Sequence, residues 1–283
     1  MNLSETLELL RTKEKQSGSL LESALSLKRY RRWSNIEILQ GSNAYCLSAI
    51  NSKARIKWGH VFIGQIYHFF NLKIGDDAPI EPIFLVTLAE KSGLTTDQPR
   101  QINLSRIKRK LAAGMVGLSY IGMIEPGYYN IIYDQAWGKQ RNVVSWHGHF
   151  LVWGISRKEL NRHLDRIKPR FTPIMPGLCA VHKKKITPDQ FGYKLSYIIK
   201  SPRKEYSIGR RLNSDKRTGN SRFKQNSRNI RPGHRVKLVN LMREIYLDQL
   251  AMAGGEGRKL LQDIKYEALR DYRRKHGWHE RRP

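Results

Sequence analysis

The chain has 283 residues, of which 52 are Lys or Arg and 24 are Asp or Glu, so its formal charge is +28. A soluble protein needs far less net charge than this. The excess positive charge favours a polyanionic partner, with nucleic acid as the first candidate and an anionic membrane surface as the second. Hydrophobic residues make up 40% of the chain, which excludes both a disordered basic tail and an integral membrane protein. Because Cys46 and Cys179 are its two cysteines, we exclude a disulfide scaffold and expect a reducing, cytoplasmic setting.

Several sequence signals expected of other protein classes are missing. The first ten residues contain Glu5 and Glu8 and no basic residue, unlike a secretory signal peptide. The most apolar stretch, residues 61–70, is too short to span a bilayer. Because the positive charge is spread over predicted loops and is not confined to one amphipathic face, we also expect no membrane partner. The dipeptide Gly138–Lys139 lacks the upstream glycine of a Walker A loop, and no Cys/His spacing is typical of structural zinc.

The apolar periodicity divides the chain into three parts. Residues 1–75 are predicted to be a helical N-terminal extension, residues 76–202 a core in which strands and helices alternate, and residues 203–283 a basic segment followed by C-terminal helices. In the core the order is strand, helix, strand, strand, helix, strand, helix. This order favours an α+β fold of the ferredoxin-like (split βαβ) kind, an antiparallel sheet with helices.

The predicted boundaries of the core elements follow local signals. Capping boxes at Ser156–Glu159 and Thr187–Gln190 are expected to open the last two helices, which end before Pro169 and Pro202. The strands are predicted at 83–88, 117–124, 143–153 and 178–181, and the first helix at 104–113.

The flanking parts are rich in positive charge. Lys28–Trp33 suits phosphate contacts with stacking, and is equally consistent with a solvated helix face beside a buried Trp. Residues 201–235 hold eleven Lys or Arg against two acids, which predicts a mobile basic segment. Residues 236–250 and 258–275 are predicted to form amphipathic helices. The DNA-contacting candidates in the basic segment are Arg203, Lys204, Arg210 and Arg211.

Two side-chain patterns in the core indicate chemistry. His147 and His149 lie two apart in a predicted strand, so both imidazoles point to one face, as a divalent metal needs; two satisfied or solvent-facing histidines would show the same spacing. Tyr193 and Tyr197 lie one turn apart on the last core helix, with Lys200 near their face. Two phenols and an ammonium group suit attack on a phosphodiester, although tyrosines that pack on the sheet would give the same pattern.

Taken together, the His-x-His strand and the later tyrosine helix resemble the HUH endonuclease superfamily, which includes the rolling-circle replication initiators of small phages and plasmids. Tyr197-Ile-Ile-Lys200 is similar to the family's Tyr-x-x-Lys motif, and Tyr193 to the extra tyrosine of its two-tyrosine subgroup. The strand containing Phe84–Leu88 resembles the family's first motif. Two positions depart from the pattern, because the middle residue of the histidine pair is Gly148, where the family has a bulky hydrophobe, and Tyr193 is followed at +3 by Ser196.

The resemblance implies a specific activity. His147 and His149, with Glu125 as third ligand, hold Mg²⁺ or Mn²⁺, which polarises the scissile phosphate of single-stranded or hairpin DNA. Tyr197 attacks to form a 5′-phosphotyrosine, Lys200 stabilises the developing charge, and Tyr193 accepts the second strand transfer. Without a Walker motif the protein would need a separate helicase to unwind an origin. A transposase of the same superfamily and a non-catalytic basic nucleic-acid-binding protein remain as alternatives.

Overall fold

The computed structural model describes residues 1–27, 30, 46–73, 82–98, 102–134, 139–174, 178–210 and 223–276. The helices are α1 (Leu3–Ser26), α2 (Ser52–Lys73), α3 (Leu104–Gly114), α4 (Arg157–Ile167), α5 (Phe191–Ile199), α6 (Pro232–Met242), α7 (Leu247–Leu250) and α8 (Gly257–His276). The strands are β1 (Ile83–Thr96), β2 (Ser119–Asp134), β3 (Lys139–Trp153), β4 (Val181–Ile186), β5 (Lys204–Arg210), β6 (Phe223–Asn229) and β7 (Ala251–Gly254). No helix in these ranges has both the length and the apolar character needed to cross a membrane.

All seven strands join one sheet with the order β4-β1-β3-β2-β5-β6, and β7 pairs with β2 beside this path. β1 is antiparallel to both β3 and β4, and β2 is antiparallel to β3. It follows that β1 and β2 run in the same direction with β3 between them. The pair of β2 with β5 is parallel. The predicted α+β class is therefore confirmed, and the sheet is mostly antiparallel.

Helices cover both faces of this sheet. On the face that carries His149, the indole Nε1 of Trp58 from α2 lies 3.2 Å from Sδ of Met123 on β2. On the opposite face, Leu111 of α3 lies beside Gly148 of β3. The largest core cluster contains residues from all three predicted parts of the chain, among them Leu10 and Ile264. The N- and C-terminal extensions thus share the core of the central part.

The order of strands and helices predicted for residues 76–202 is confirmed, and the boundaries differ in places. Ser156 caps α4 as predicted, since its Oγ accepts a hydrogen bond from the backbone N–H of Glu159 at 3.2 Å. The second capping box is wrong, because residues Pro188–Gln190 form a 3₁₀ turn and the Thr187 side chain makes no capping hydrogen bond. β2 and β3 are longer than predicted, and the short strand predicted at 178–181 lies instead at Val181–Ile186.

The predicted mobile basic segment is wrong where the structure describes it, because β5 and β6 pair as an antiparallel hairpin. A buried acid, Glu205, anchors this hairpin to α6 through a hydrogen bond from Nδ1 of His234 at 2.7 Å. The single helix predicted at 236–250 is also wrong. The structure has two helices here, α6 and α7, and Tyr246, directly before α7, forms a β-bridge with Ser48. Apart from Tyr30, the Lys28–Trp33 run lies outside the described residues, as does Arg211.

Candidate metal centre and tyrosine helix

Strands β2 and β3 place three potential metal ligands together. Glu125 lies directly opposite His147 in the antiparallel register, so their side chains share one face of the sheet with His149. Oxygen and nitrogen ligand atoms of these three side chains all lie within 4.8 Å of one another. Glu125 and His149 are buried, and His147 is partly buried. The three residues predicted to hold a metal are therefore adjacent.

Hydrogen bonds orient both imidazole rings. The backbone carbonyl of Ser145 only accepts, so Nδ1–H of His147 donates to it, at 3.1 Å, and Nε2 keeps its lone pair. Nδ1 of His149 lies 2.9 Å from Oγ1 of Thr87 on β1. When Nδ1 of His149 carries the ring proton, Nε2 has only a lone pair. It then lies 3.4 Å from Oε2 of Glu125, so two acceptor atoms face each other. This buried Nε2 makes no well-formed hydrogen bond, and a cation between the two acceptors would satisfy both.

The charge states also suit a divalent cation. Burial, with a further contribution from His149, lowers the pKa of His147 to about 4, and burial likewise lowers the pKa of His149. Both rings are therefore neutral near pH 7, as metal ligands must be. Burial alone would raise the pKa of Glu125, but the positive charge of Lys200 and further contributions from His149 and His147 together outweigh it and hold that pKa well below its usual range. One carboxylate and two neutral imidazoles form a donor set that could hold a metal ion.

Helix α5 brings Tyr197 and Lys200 to this cluster. The rings of Tyr197 and His149 meet edge to face with centroids 4.9 Å apart. Nζ of Lys200 lies 2.7 Å from each carboxylate oxygen of Glu125 and 3.9 Å from the centroid of the Tyr197 ring. Burial and the charge of Glu125 raise the pKa of Tyr197, so its hydroxyl is protonated at neutral pH. A phenol, an ammonium group and three potential ligands thus lie in direct contact.

Tyr193 lies one turn earlier and in a different setting. Its side chain is 47% exposed, and its ring lies 4.9 Å from Nζ of Lys13 on α1 and 5.3 Å from Nζ of Lys194. Within the described residues, no hydrogen bond or ring contact links Tyr193 to either histidine. The structure therefore separates the two tyrosines into one that contacts the ligand cluster and one at the surface.

Two buried residues that the sequence analysis missed hold the end of α5. Nη1 of Arg55, on α2, donates to the backbone carbonyls of Ile199 and Lys200 at 3.2 Å each, which satisfies acceptors left open at a helix C-terminus. The carboxylate of Glu14, on α1, accepts a hydrogen bond from the backbone N–H of Ser201 at 2.8 Å. Both are positioning residues for Lys200. They are far from α5 in sequence, and no local pattern marks them.

Packing explains why a glycine, Gly148, lies between the two histidines. A Cβ atom at this position would lie 2.3 Å from Cζ of Phe150 and 3.3 Å from Cδ1 of Leu111. The Phe150 ring thus fills the space that a bulky residue between the histidines would occupy. The core remains packed behind the histidine pair although the pair has glycine at its centre.

Three of the four candidates for DNA contact, Arg203, Lys204 and Arg210, lie on or beside the hairpin. Arg203 donates a hydrogen bond to the side-chain oxygen of Gln16, and Nζ of Lys204 donates to Oδ1 of Asn229 at 3.0 Å. Arg210 is the last residue of β5.

Comparison of the chain with protein-family models, with curated proteins and with solved structures finds no match.

Proposed function

We propose that this protein is a metal-dependent DNA endonuclease and strand transferase of the HUH type that initiates rolling-circle replication. The observation that carries the proposal is the contact of Tyr197 with His149, inside a cluster in which Lys200 bridges Glu125 and the tyrosine ring. The strand order β4-β1-β3-β2 supports it as well. Two strands running in one direction with an antiparallel strand between them are what a ferredoxin-like, split βαβ core requires.

In this proposal each residue has a defined task. Glu125, His147 and His149 would hold Mg²⁺ or Mn²⁺, and the ion would polarise the scissile phosphate. The hydroxyl oxygen of Tyr197 bonds to phosphorus and loses its proton to solvent, while the bond to the 3′ oxygen breaks and that oxygen gains a proton. The products are a 5′-phosphotyrosine and a free 3′-OH. Lys200, beside the ring of Tyr197, stabilises negative charge on the phenolate or the phosphate.

The proposed substrate is single-stranded or hairpin DNA at an origin. The formal charge of +28 supports a polyanionic substrate. A separate helicase would unwind the duplex. The second strand transfer, onto Tyr193, would allow one molecule to nick and to rejoin the strand.

The test is a denaturing gel of the protein after incubation with labelled single-stranded DNA and Mn²⁺. We expect a covalent protein–DNA band that is absent with a chelator and mostly lost for Tyr197→Phe, which keeps the ring and removes the attacking oxygen. DNA binding without any adduct, at all metal concentrations, would contradict the proposal and favour a non-catalytic nucleic-acid-binding protein.

A further inference from the structure

The edge strand β4 presents basic side chains on both faces of the sheet. It lies at one end of the strand order, and its sequence is VHKKKI. His182 lies directly opposite Thr87 on β1, and Thr87 lies directly opposite His149 on β3. Because side chains alternate along a strand, Lys184 points to the face of the candidate metal centre and Lys185 to the other face. Two neighbouring lysines thus differ in the face they occupy.

The positive charge of Lys184 is available to a ligand. Lys184 and Lys185 are both exposed, and within the described residues neither forms a hydrogen bond or an ion pair. Only β1 separates β4 from β3, and two strand spacings amount to about 10 Å. A few nucleotides of an extended single strand can cover that distance. Lys184 could therefore contact a strand that also reaches the metal centre.

Helix α5 adds a cation and an exposed aromatic ring on the same face. Nζ of Lys194 lies 5.8 Å from the centroid of the Tyr197 ring and 5.3 Å from that of the Tyr193 ring. Nζ of Lys13, on α1, lies 4.9 Å from the same Tyr193 ring, which is 47% exposed. Burial, followed by the charge of Lys184, lowers the pKa of Lys194, as expected for neighbouring amines. The surface between β4 and α5 thus combines ammonium groups with an accessible ring.

We propose that this surface, formed by Lys184 of β4 with Lys194 and Tyr193 of α5, binds single-stranded DNA on one side of the scissile phosphate. The ammonium groups contact phosphates, and the exposed ring provides a face on which a base stacks. This combination suits a strand in which phosphates and unpaired bases alternate. The position beside the scissile phosphate rests on the function proposed above, whereas the binding itself needs no metal.

The test compares two neighbouring lysines that differ in the face they occupy. Lys184→Ala and Lys185→Ala remove the same charge from exposed positions of one strand. Fluorescence anisotropy measures the binding of a labelled single-stranded oligonucleotide with chelator present, over a series of salt concentrations. We expect Lys184→Ala to weaken binding about fivefold and to reduce the salt slope by about one, and Lys185→Ala to change binding less than about twofold. Equal effects of the two substitutions would overturn the proposal. Lys184→Gln, which keeps much of the side chain, gives the same comparison if the Ala variant is unstable.

A second pair of substitutions tests stacking under the same conditions. Tyr193→Phe keeps the ring and should bind normally, whereas Tyr193→Leu should weaken binding about fivefold. Equal losses in both variants would overturn the proposal. So would Lys184-dependent binding to vesicles of anionic phospholipid without Lys184-dependent binding of the oligonucleotide, since the surface would then contact a membrane. The function proposed above fails separately, by the absence of a covalent adduct from the unmodified protein with Mn²⁺ while DNA binding persists.

Discussion

Nζ of Lys200 lies 2.7 Å from both carboxylate oxygens of Glu125, so a single ammonium group neutralises the only acid among the three potential metal ligands. The two side chains are 14% and 10% exposed, which makes this a buried ion pair. A cation bound at Glu125 would share that carboxylate with Lys200 or free the amine for a phosphate. The pair therefore connects the potential metal ligands on the sheet to the end of the tyrosine helix.

Replacing Lys200 tests this coupling. Lys200→Met leaves Glu125 buried without its counter-charge, and we expect a loss of about 3–5 kcal/mol in the free energy of unfolding. Mn²⁺ should restore part of the loss, because a bound cation again compensates Glu125. Urea unfolding with and without Mn²⁺ measures both effects. Lys158→Met, at an exposed position on α4, serves as control and should show neither. A Lys200→Met protein as stable as the unmodified one would show that the ion pair is absent in solution.

Removing a histidine tests metal binding apart from catalysis. In the unmodified protein, Mn²⁺ at about a hundredfold excess over its Kd should raise the free energy of unfolding by about 2.7 kcal/mol. His149→Ala removes one of the ligands, so this metal-dependent increase should disappear. His182→Ala replaces an exposed histidine of β4 that is not one of the three potential ligands, and this variant should keep the increase. Thermal shift against Mn²⁺ concentration provides the comparison, and an equal shift in both variants would exclude His149 as a ligand.

The residues of the candidate site follow local periods, and this is why the sequence predicts them. The two-residue repeat of a strand places His147 and His149 on one face, and the helical repeat places Lys200 near Tyr197. Arg55 and Glu14 reach the end of α5 from elements far away in the sequence, so no period marks them. Their role depends on how the helices pack, which no local pattern specifies.

The hairpin was missed for a different reason. The sequences of β5 and β6, KEYSIGR and FKQNSRN, are too polar to show the apolar alternation of a half-buried strand. What stabilises them is a buried acid among basic partners, which depends on tertiary structure. The division of the predicted 236–250 helix has a similar cause, since the bridge between Tyr246 and Ser48 joins distant segments.

The acid that anchors the hairpin leads to a pH-dependent prediction. Burial would raise the pKa of Glu205, but hydrogen bonds from the backbone of Arg231, from His234 and from Arg228 lower it overall. Because the folded-state pKa is depressed, the stabilisation is complete above the unfolded-state pKa, about 4.3, and is lost as the pH falls below it and through the lower folded-state pKa.

We therefore expect Glu205→Gln to lower the free energy of unfolding by about 1–2 kcal/mol at about pH 7, a modest value because Arg228 and Arg231 are half exposed. The difference from the unmodified protein should shrink progressively as the pH falls below about 4. Glu244→Gln, whose ion pair with Arg243 is largely exposed, is the control and should have little effect. A penalty for Glu205→Gln that grows on acidification would contradict a depressed pKa for this carboxyl group.

Substitutions at two glycines test the packing: Gly148 lies between the two histidines of β3, and Gly64 on α2 serves as the comparison. Gly148→Val should cost about 1–3 kcal/mol, because its Cβ would overlap the ring of Phe150. Gly64→Ala, on α2, should stabilise by about 0.5–1 kcal/mol, because no atom lies within 4 Å of the added methyl group and alanine favours a helix. Urea unfolding of both variants gives the comparison. A neutral Gly148→Val would mean that Phe150 moves aside easily and that a bulky residue is tolerated between the histidines.

The two tyrosines of α5 should differ in their reactions. Tyr197 contacts His149, whereas Tyr193 is 47% exposed between Lys13 and Lys194. Tyr197→Phe should therefore remove most of the covalent adduct, and Tyr193→Phe should nick nearly normally but fail to transfer or rejoin the second strand. Nuclease digestion followed by peptide mass spectrometry locates the attached nucleotide in each protein. DNA found only on Tyr193 would reverse the order of the two residues. An adduct that persists in the double Phe variant would place the nucleophile outside α5, and both tyrosines would then serve packing and surface roles alone.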